Sequence, residues 1–130
     1  MYTKSPIEAY RKVNKVTMSG RDIEAEVLTK AAIKLKRCLT NWDIDEPARE
    51  EALKQALDYN QRIWTIFQGE LSNENNPLPQ QIRLDLLRLS AFIDKRMFEI
   101  IAFPEKEKLN ILIDINQNIA AGLRQTPAFD

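Results

Sequence analysis

Cys38 is the only thiol in this chain, and the chain has no histidine. Those two facts bound the chemistry. Without imidazole the commonest general base and the commonest metal ligand are both missing. Ser-His-Asp triads, Cys-His pairs and ordinary zinc sites go with it. Cys38 could serve as a nucleophile only with a lowered pKa, and Lys34 and Arg37, close by on the same helix, are the cations placed to lower it. The competing reading is a small apolar filler, the usual part of a lone helical cysteine. The carboxylate pairs are no more suggestive. Glu24 with Glu26, and Asp43 with Asp45, stand two apart and do not share a helical face, so they read as solvated charge. Three scattered glycines, Gly20, Gly69 and Gly122, leave no phosphate-cradling loop, and no EF-hand pattern occurs. The sequence predicts no enzyme, no metal and no cofactor.

What remains is recognition through packing. Asn60 and Asn116 interrupt two apolar stripes. A buried amide must find hydrogen-bond partners or cost about 1–3 kcal/mol. One reading is an internal network that fixes helix register; the other is a pair of amides lining a groove and bonding a partner's backbone. Aromatic residues gather at Tyr59, Trp64, Phe67, Phe92 and Phe98. Core packing is their default, but Ile63, Trp64, Ile66 and Phe67 together exceed what one stripe needs. The candidate partner-binding residues are Tyr59, Asn60, Ile63, Trp64, Phe67, Phe98, Ile101 and Asn116.

The elements that must position these residues are helices. Six prolines and three glycines punctuate the chain, and between them apolar residues recur at helical spacing with no sustained period of two. Five helices are expected. A short one spans about Pro6 to Val16, with Ser5 as cap, Pro6 in the first position and Glu8 completing a capping box. A second spans about Arg21 to Asn41. A third spans about Pro47 to Leu71, opened by Asp45 or Glu46 and carrying Leu53, Ala56, Leu57, Asn60, Trp64, Phe67 and Leu71 on one stripe. SNENNPLP breaks the chain before a fourth helix, from about Pro79 to Ala102.

That fourth helix carries two stripes. Ile82, Leu86, Leu89, Ile93 and Ile100 form one; Leu84, Leu87, Ala91, Phe98 and Ile101 form the other. A helix apolar on most sides is central or meets a partner. Pro104 opens the fifth helix, which ends near Arg124, with fraying expected at Gly122 and flexibility in the last few residues. Short connections make neighbours antiparallel. The expected architecture is all-α: one domain over residues 1–130, an antiparallel bundle of about five helices.

Composition agrees with a globular reading. The chain has 130 residues, 44% apolar and 29% charged, enough to bury roughly 65–70% of its unfolded surface. Formal net charge is zero, which argues against dedicated nucleic-acid binding. The charge is uneven. Residues 1–42 carry nine Lys and Arg against four Asp and Glu, and residues 43–58 carry two against six. The acidic start of the third helix is expected to pack near the basic second helix; the sharper alternative is a docking face on Lys30, Lys34, Lys36 and Arg37. A single thiol suits a reducing compartment. No apolar window reaches 18 residues, so no membrane insertion is expected, and MYTKSPIEAYRKV lacks the apolar stretch of a signal peptide. A cytoplasmic location is expected.

Several segments carry a family resemblance. Tyr59-Asn60-Gln61-Arg62-Ile63-Trp64-Thr65 is one, and Asn76-Pro77-Leu78-Pro79, followed by Leu86, Leu87, Leu89 and Ser90, is another. Phe92-Ile93-Asp94-Lys95-Arg96 with Glu99 comes next, and the closing run Ile115 to Arg124 is the most distinctive. Ala9-Tyr10 and Asn41-Trp42 also match. In this order and spacing they resemble FlaF, the flagellar biosynthesis regulator of alphaproteobacteria. The resemblance implies a protein needed for flagellin production and filament assembly, acting with flagellin as a secretion chaperone and in one circuit with the FlbT regulator of flagellin messenger translation. It brings no catalytic residues. The stretch Leu35 to Thr40 and the tail Thr126 to Asp130 carry no matching motif.

Two functional readings follow. The first is a chaperone and regulator that binds newly made flagellin, whose terminal segments are disordered and helix-prone before assembly; surplus apolar surface would serve that contact or a homodimer. The second is a post-transcriptional regulator of flagellin expression acting through messenger RNA or FlbT. Its support is the basic N-terminal third, and its weakness is the lack of interleaved aromatics.

Overall fold

The structure, a computed structural model, describes residues 6–125, with side chains from Gly20 to Arg124. Four α-helices follow one another: α1 (Pro6–Thr40), α2 (Glu46–Ser72), α3 (Gln80–Ala102) and α4 (Leu109–Gln125), with a 3₁₀ turn at Lys106–Lys108 ahead of α4. The all-α class is as expected. The count is four, not about five, because the expected break between Val16 and Arg21 does not occur. Gly20 is the breaker available there, and an interior glycine costs only about 1 kcal/mol relative to alanine. Losing the i→i−4 hydrogen bonds across the junction would cost more, so the helix runs through. A Cβ at Gly20 would meet nothing within 4 Å, so packing does not require a glycine there. The expected cap Ser5, the Glu8 side chain and the tail residues 126–130 lie outside the described residues.

α2 starts where its sequence signal stands. The Asp45 carboxylate accepts from the Ala48 backbone N–H at 3.0 Å, and Pro47 sits in the first turn. This satisfies one of the otherwise unpaired donors of the helix start. The loop after α2 is tied down from both sides. Asn76 donates to the Glu70 carbonyl at 3.0 Å, while Arg83 of α3 reaches back to the carbonyls of Leu71 and Asn73. Such side-chain bonds replace the pairing that a broken helix loses.

Contacts at several levels fix the directions of the helices. Lys34 lies over the Tyr59 ring and Glu24 beside Glu70, so α1 and α2 run antiparallel. Asn60 meets Met97 and Gln68 meets Asp94, so α3 turns back along α2. α4 packs chiefly on α1, where Arg124 donates to Thr29 at 2.9 Å, and reaches α2 across the bundle through Asn116, which meets Asn60 and Trp64. The result is an up-and-down bundle. α1 contributes fully buried Ala25, Ala31 and Ala32 among Leu28 and Leu35. Small side chains let a neighbouring backbone come close, and α1 packs most extensively on α4. α3 packs chiefly on α2 and touches α4 little.

The first part of α2 lies beside the basic end of α1, as expected, with Lys34 and Arg37 close to Arg49, Ala52 and Gln55. α1 and α2 are neighbours, but among the described residues no ion pair joins Lys30, Lys34, Lys36 or Arg37 to the acidic first turns of α2. Of these, Lys34 lies over the Tyr59 ring at 5.0 Å, and from α2 the cation Arg49 lies over Trp42 at 5.2 Å. The described ion pairs, Arg88–Asp85, Arg96–Glu99 and Lys108–Glu105, each join residues one turn apart. No described helix is long and apolar enough to cross a membrane.

Candidate partner-binding surfaces

The two interrupting asparagines face each other inside the bundle. The Trp64 indole N–H donates to Asn116 Oδ1 at 2.9 Å. Asn116 Nδ2 donates to Asn60 Oδ1 at 2.7 Å, and Asn60 Nδ2 reaches the Met97 sulfur at 3.4 Å. All four side chains are buried. One continuous chain of hydrogen bonds therefore links α2 to α4, returns to α2 and ends on α3. The sulfur is a weak acceptor, but each amide uses both of its ends. This arrangement matches the register-fixing reading of the asparagines. Sliding α4 by one residue along α2 would break two bonds at once and strand three polar groups in the core.

Phe67 packs edge-on to Trp64, ring centroids 5.6 Å apart. Ile63 is buried, and Tyr59 and Phe67 are half-buried at the edge of the core. Cys38 is buried as well, and burial pushes its thiol upward from its ordinary pKa, away from the thiolate a nucleophile needs. Among the described residues no group of three or more His, Cys, Asp or Glu is placed to hold a metal ion.

The outer side of α3 is the reverse of this interior. Ser90, Ile93, Met97 and Ile100 are buried against the bundle. The side turned away from them carries Leu84, Ala91 and Phe98, all exposed, with Phe98 at 71%; Ile101, 66% exposed, stands in the last turn between that side and the buried set. Phe103, just past the end of the helix, is 72% exposed. At 100° per residue, Leu84, Ala91 and Phe98 stand about 160°, about 140° and about 120° from the mean direction of the buried set, and Ile101 only about 60° from it. Of the second stripe read from the sequence, Leu84, Ala91, Phe98 and Ile101 are exposed while Leu87 is half-buried, and Ile82, expected on the inner stripe, is exposed as well. Asp94 and Lys95 interrupt the exposed side, and Arg96 leans over the Phe92 ring at 5.5 Å.

The candidate residues therefore divide. Asn60, Ile63, Trp64 and Asn116 are buried in this structure, and the polar groups of the two asparagines and of Trp64 are partnered within the chain, the internal one of the two readings given to the asparagines. Phe98 and Ile101 lie outside together, on α3. Tyr59 and Phe67 sit between the two sets. A family model, flagellar protein FlaF, matches residues 6–123. The chain belongs to the FlaF family. No curated protein and no solved structure matches it. Two segments that carry the FlaF resemblance, residues 59–65 and 115–124, supply three of the four members of the buried chain, and residues 76–79 belong to the loop that Asn76 ties to the Glu70 carbonyl.

One feature of this FlaF chain escapes sequence reading. Glu24 is half-buried and meets not Glu26 but Glu70, on the neighbouring helix. Its pKa is pushed up to about 7, first by burial and then by the Glu70 carboxylate, with Arg21 pulling the other way. Spacing within one helix carries no signal for a pair made by two.

Proposed function

We propose that this protein binds newly made flagellin and acts as a secretion chaperone, promoting flagellin synthesis, export and filament assembly in the cytoplasm without catalysing a reaction. Its membership of a flagellar family supports the context. The observation that carries the binding reading is the uncovered apolar face of α3, with Phe98 and Ile101 about two-thirds exposed. Exposed apolar side chains recurring at helical spacing, even with charges between them, suit a helix-in-groove or helix-on-helix contact. A helix-prone flagellin segment laid along Leu84, Ala91, Phe98 and Ile101 would gain about 25 cal/mol per Å² of apolar surface removed from water, less the cost of ordering the segment. The small Ala91 lets a partner helix approach at mid-face. Phe98 and Ile101 are the anchors.

Titration calorimetry of purified flagellin monomer into the full chain tests this. Saturable binding with a negative heat-capacity change, little weakened by salt, supports it. The absence of co-elution and of heat at tens of micromolar would sink it. The second reading, messenger binding through Lys30, Lys34, Lys36 and Arg37, is favoured by their exposure on one helix. It predicts affinity for flagellin messenger that falls steeply with salt. Pull-down from cells building flagella, followed by mass spectrometry, reports FlbT in the same experiment.

A further inference from the structure

One end of the bundle holds a cavity of about 300 Å³, where α1, the close of α2, the α2–α3 loop, α3 and the close of α4 converge. This is the low end of the range for binding pockets, room for a large side chain rather than a cofactor. Its walls are apolar: Phe67 and Leu71 from α2, Leu86 from α3, Ile119 and Leu123 from α4. Glu24 of α1 and Glu70 of α2 stand at its edge, with Arg21 one turn before Glu24. Among the described residues the lining holds no second cation, and Arg83 of α3, close by, is taken up by the carbonyls of Leu71 and Asn73. α3 and α4 contribute apolar groups to the lining. From the loop, the side chain of Asn76 is taken up by the Glu70 carbonyl and the Leu78 N–H.

Two carboxylates beside one guanidinium leave the apolar cavity with a negative edge. An anionic or purely apolar occupant would leave that edge uncompensated. The chain's own residues 126–130 contain Asp130 and no cation, so they have the wrong sign. We propose that this cavity docks a basic amphipathic peptide segment of a partner protein, an apolar side chain entering between Phe67, Leu86 and Leu123 while a neighbouring Lys or Arg of the same segment sits between Glu24 and Glu70. The site is separate from the outer face of α3 and does not depend on the flagellin reading. The raised pKa of Glu24 fits it: at neutral pH the pair shares less than two full charges, and an incoming cation draws the proton off. Docking therefore couples to proton release.

The probe is N-acetyl-phenylalanyl-arginine amide, with the neutral citrulline analogue as control, titrated into the isotopically labelled full chain and followed by amide chemical shifts. Shifts are expected at residues 21–24, 67–71 and 119–123. The arginine peptide should bind roughly five-fold tighter than the citrulline peptide, the scale of one partly exposed ion pair. That advantage should vanish in Glu24→Gln/Glu70→Gln and shrink as the pH is taken from about 7.5 to about 5.5, where Glu24 holds its proton. Equal binding of the two peptides overturns the proposal. So do shifts confined to other surfaces, or an advantage that survives the double substitution. Should the double variant lose its helical circular dichroism, Glu70→Gln alone, at an exposed side chain, gives the same comparison.

Discussion

The seam between α2 and α4 and the outer face of α3 are built from much the same material and meet opposite fates. Each presents a run of large apolar side chains at helical spacing. In the seam, Trp64 is 1% exposed and its one polar atom is bonded to Asn116. On α3, Phe98 has no polar atom to place and points outward. The difference lies in what each run faces. α2 lies between α1 and α3 and also meets α4 through the asparagines, whereas α3 packs chiefly on α2 and has a side left over. Apolar periodicity predicts that a face will be buried against something. It does not say whether that something is in the same chain.

The largest break in this comparison comes from Trp64→Ala. It removes the biggest buried side chain and strands Asn116 Oδ1. The expected loss is about 3–5 kcal/mol, much of a domain stability of about 5–15 kcal/mol. A denaturant melt followed by circular dichroism measures it. A variant that melts like its parent would show that the seam does not hold the bundle together.

The asparagine pair comes next. Asn116→Leu leaves the Trp64 N–H and Asn60 Oδ1 without partners, at an expected cost of about 1–3 kcal/mol. Asn60→Leu should cost a similar amount. Because each single substitution breaks the same 2.7 Å bond, the double variant should lose less than the two losses added, with a coupling of about 0.5–3 kcal/mol. Strict additivity in the melts would mean that the two amides act separately and that no network fixes the register.

Much of this architecture can be read before any coordinates, and the reasons are local. α2 was expected over about 47–71 and is Glu46–Ser72, because Asp45-Glu46-Pro47 is a complete start signal and SNENNPLP is a complete stop. α3 is equally well bounded. α1 misleads because a single glycine resembles a break that continuing hydrogen bonds outweigh. α4 starts later than Pro104 suggests, because residues 103–105 form a turn held by Lys108 on the Phe103 carbonyl. Within the candidate site, an amide inside an apolar stripe announces itself as a buried polar group, so Asn60 and Asn116 stood out. Their bond to each other did not, nor did Met97, because pairing between helices is set by register and crossing geometry, which one strand of text does not carry. The Glu24–Glu70 contact was illegible for the same reason.

That contact supplies the third prediction. Glu24 ordinarily titrates at 4.5 and here at about 7. Between those values the folded chain holds a proton that the unfolded chain has released. The stability this proton contributes is complete below about pH 4.5 and is lost as pH rises through about 7. The side chain is only half-buried, so solvent screening leaves an expected effect of about 1 kcal/mol or less. Melting temperatures of the parent and Glu24→Gln, compared between about pH 5.5 and about pH 8, isolate it: the parent should lose stability relative to the variant as the pH rises. A parent that gains relative to Glu24→Gln would place the carboxyl in a different environment.

The smallest expected effect on stability is also the most informative about the outer face. Phe98→Ser and Ile101→Ser each remove a large apolar group, as Trp64→Ala does. Side-chain type alone would predict losses of several kcal/mol. Position predicts otherwise. Both residues are about two-thirds exposed, so little of either is withdrawn from water on folding, and each variant should melt within about 0.5 kcal/mol of the parent. Serine lowers helix propensity slightly relative to its neighbours, which sets the sign of that residue as a small loss. The same two substitutions should weaken flagellin binding by about 2 kcal/mol each, the scale of an interface anchor, read by calorimetry on variants of unchanged helicity. Two failures are distinguishable. A large drop in melting temperature would mean that the outer face is already covered within the chain, perturbing the contrast between α3 and the seam. Unchanged melting with unchanged flagellin affinity would keep the face open and assign its occupant to something other than flagellin.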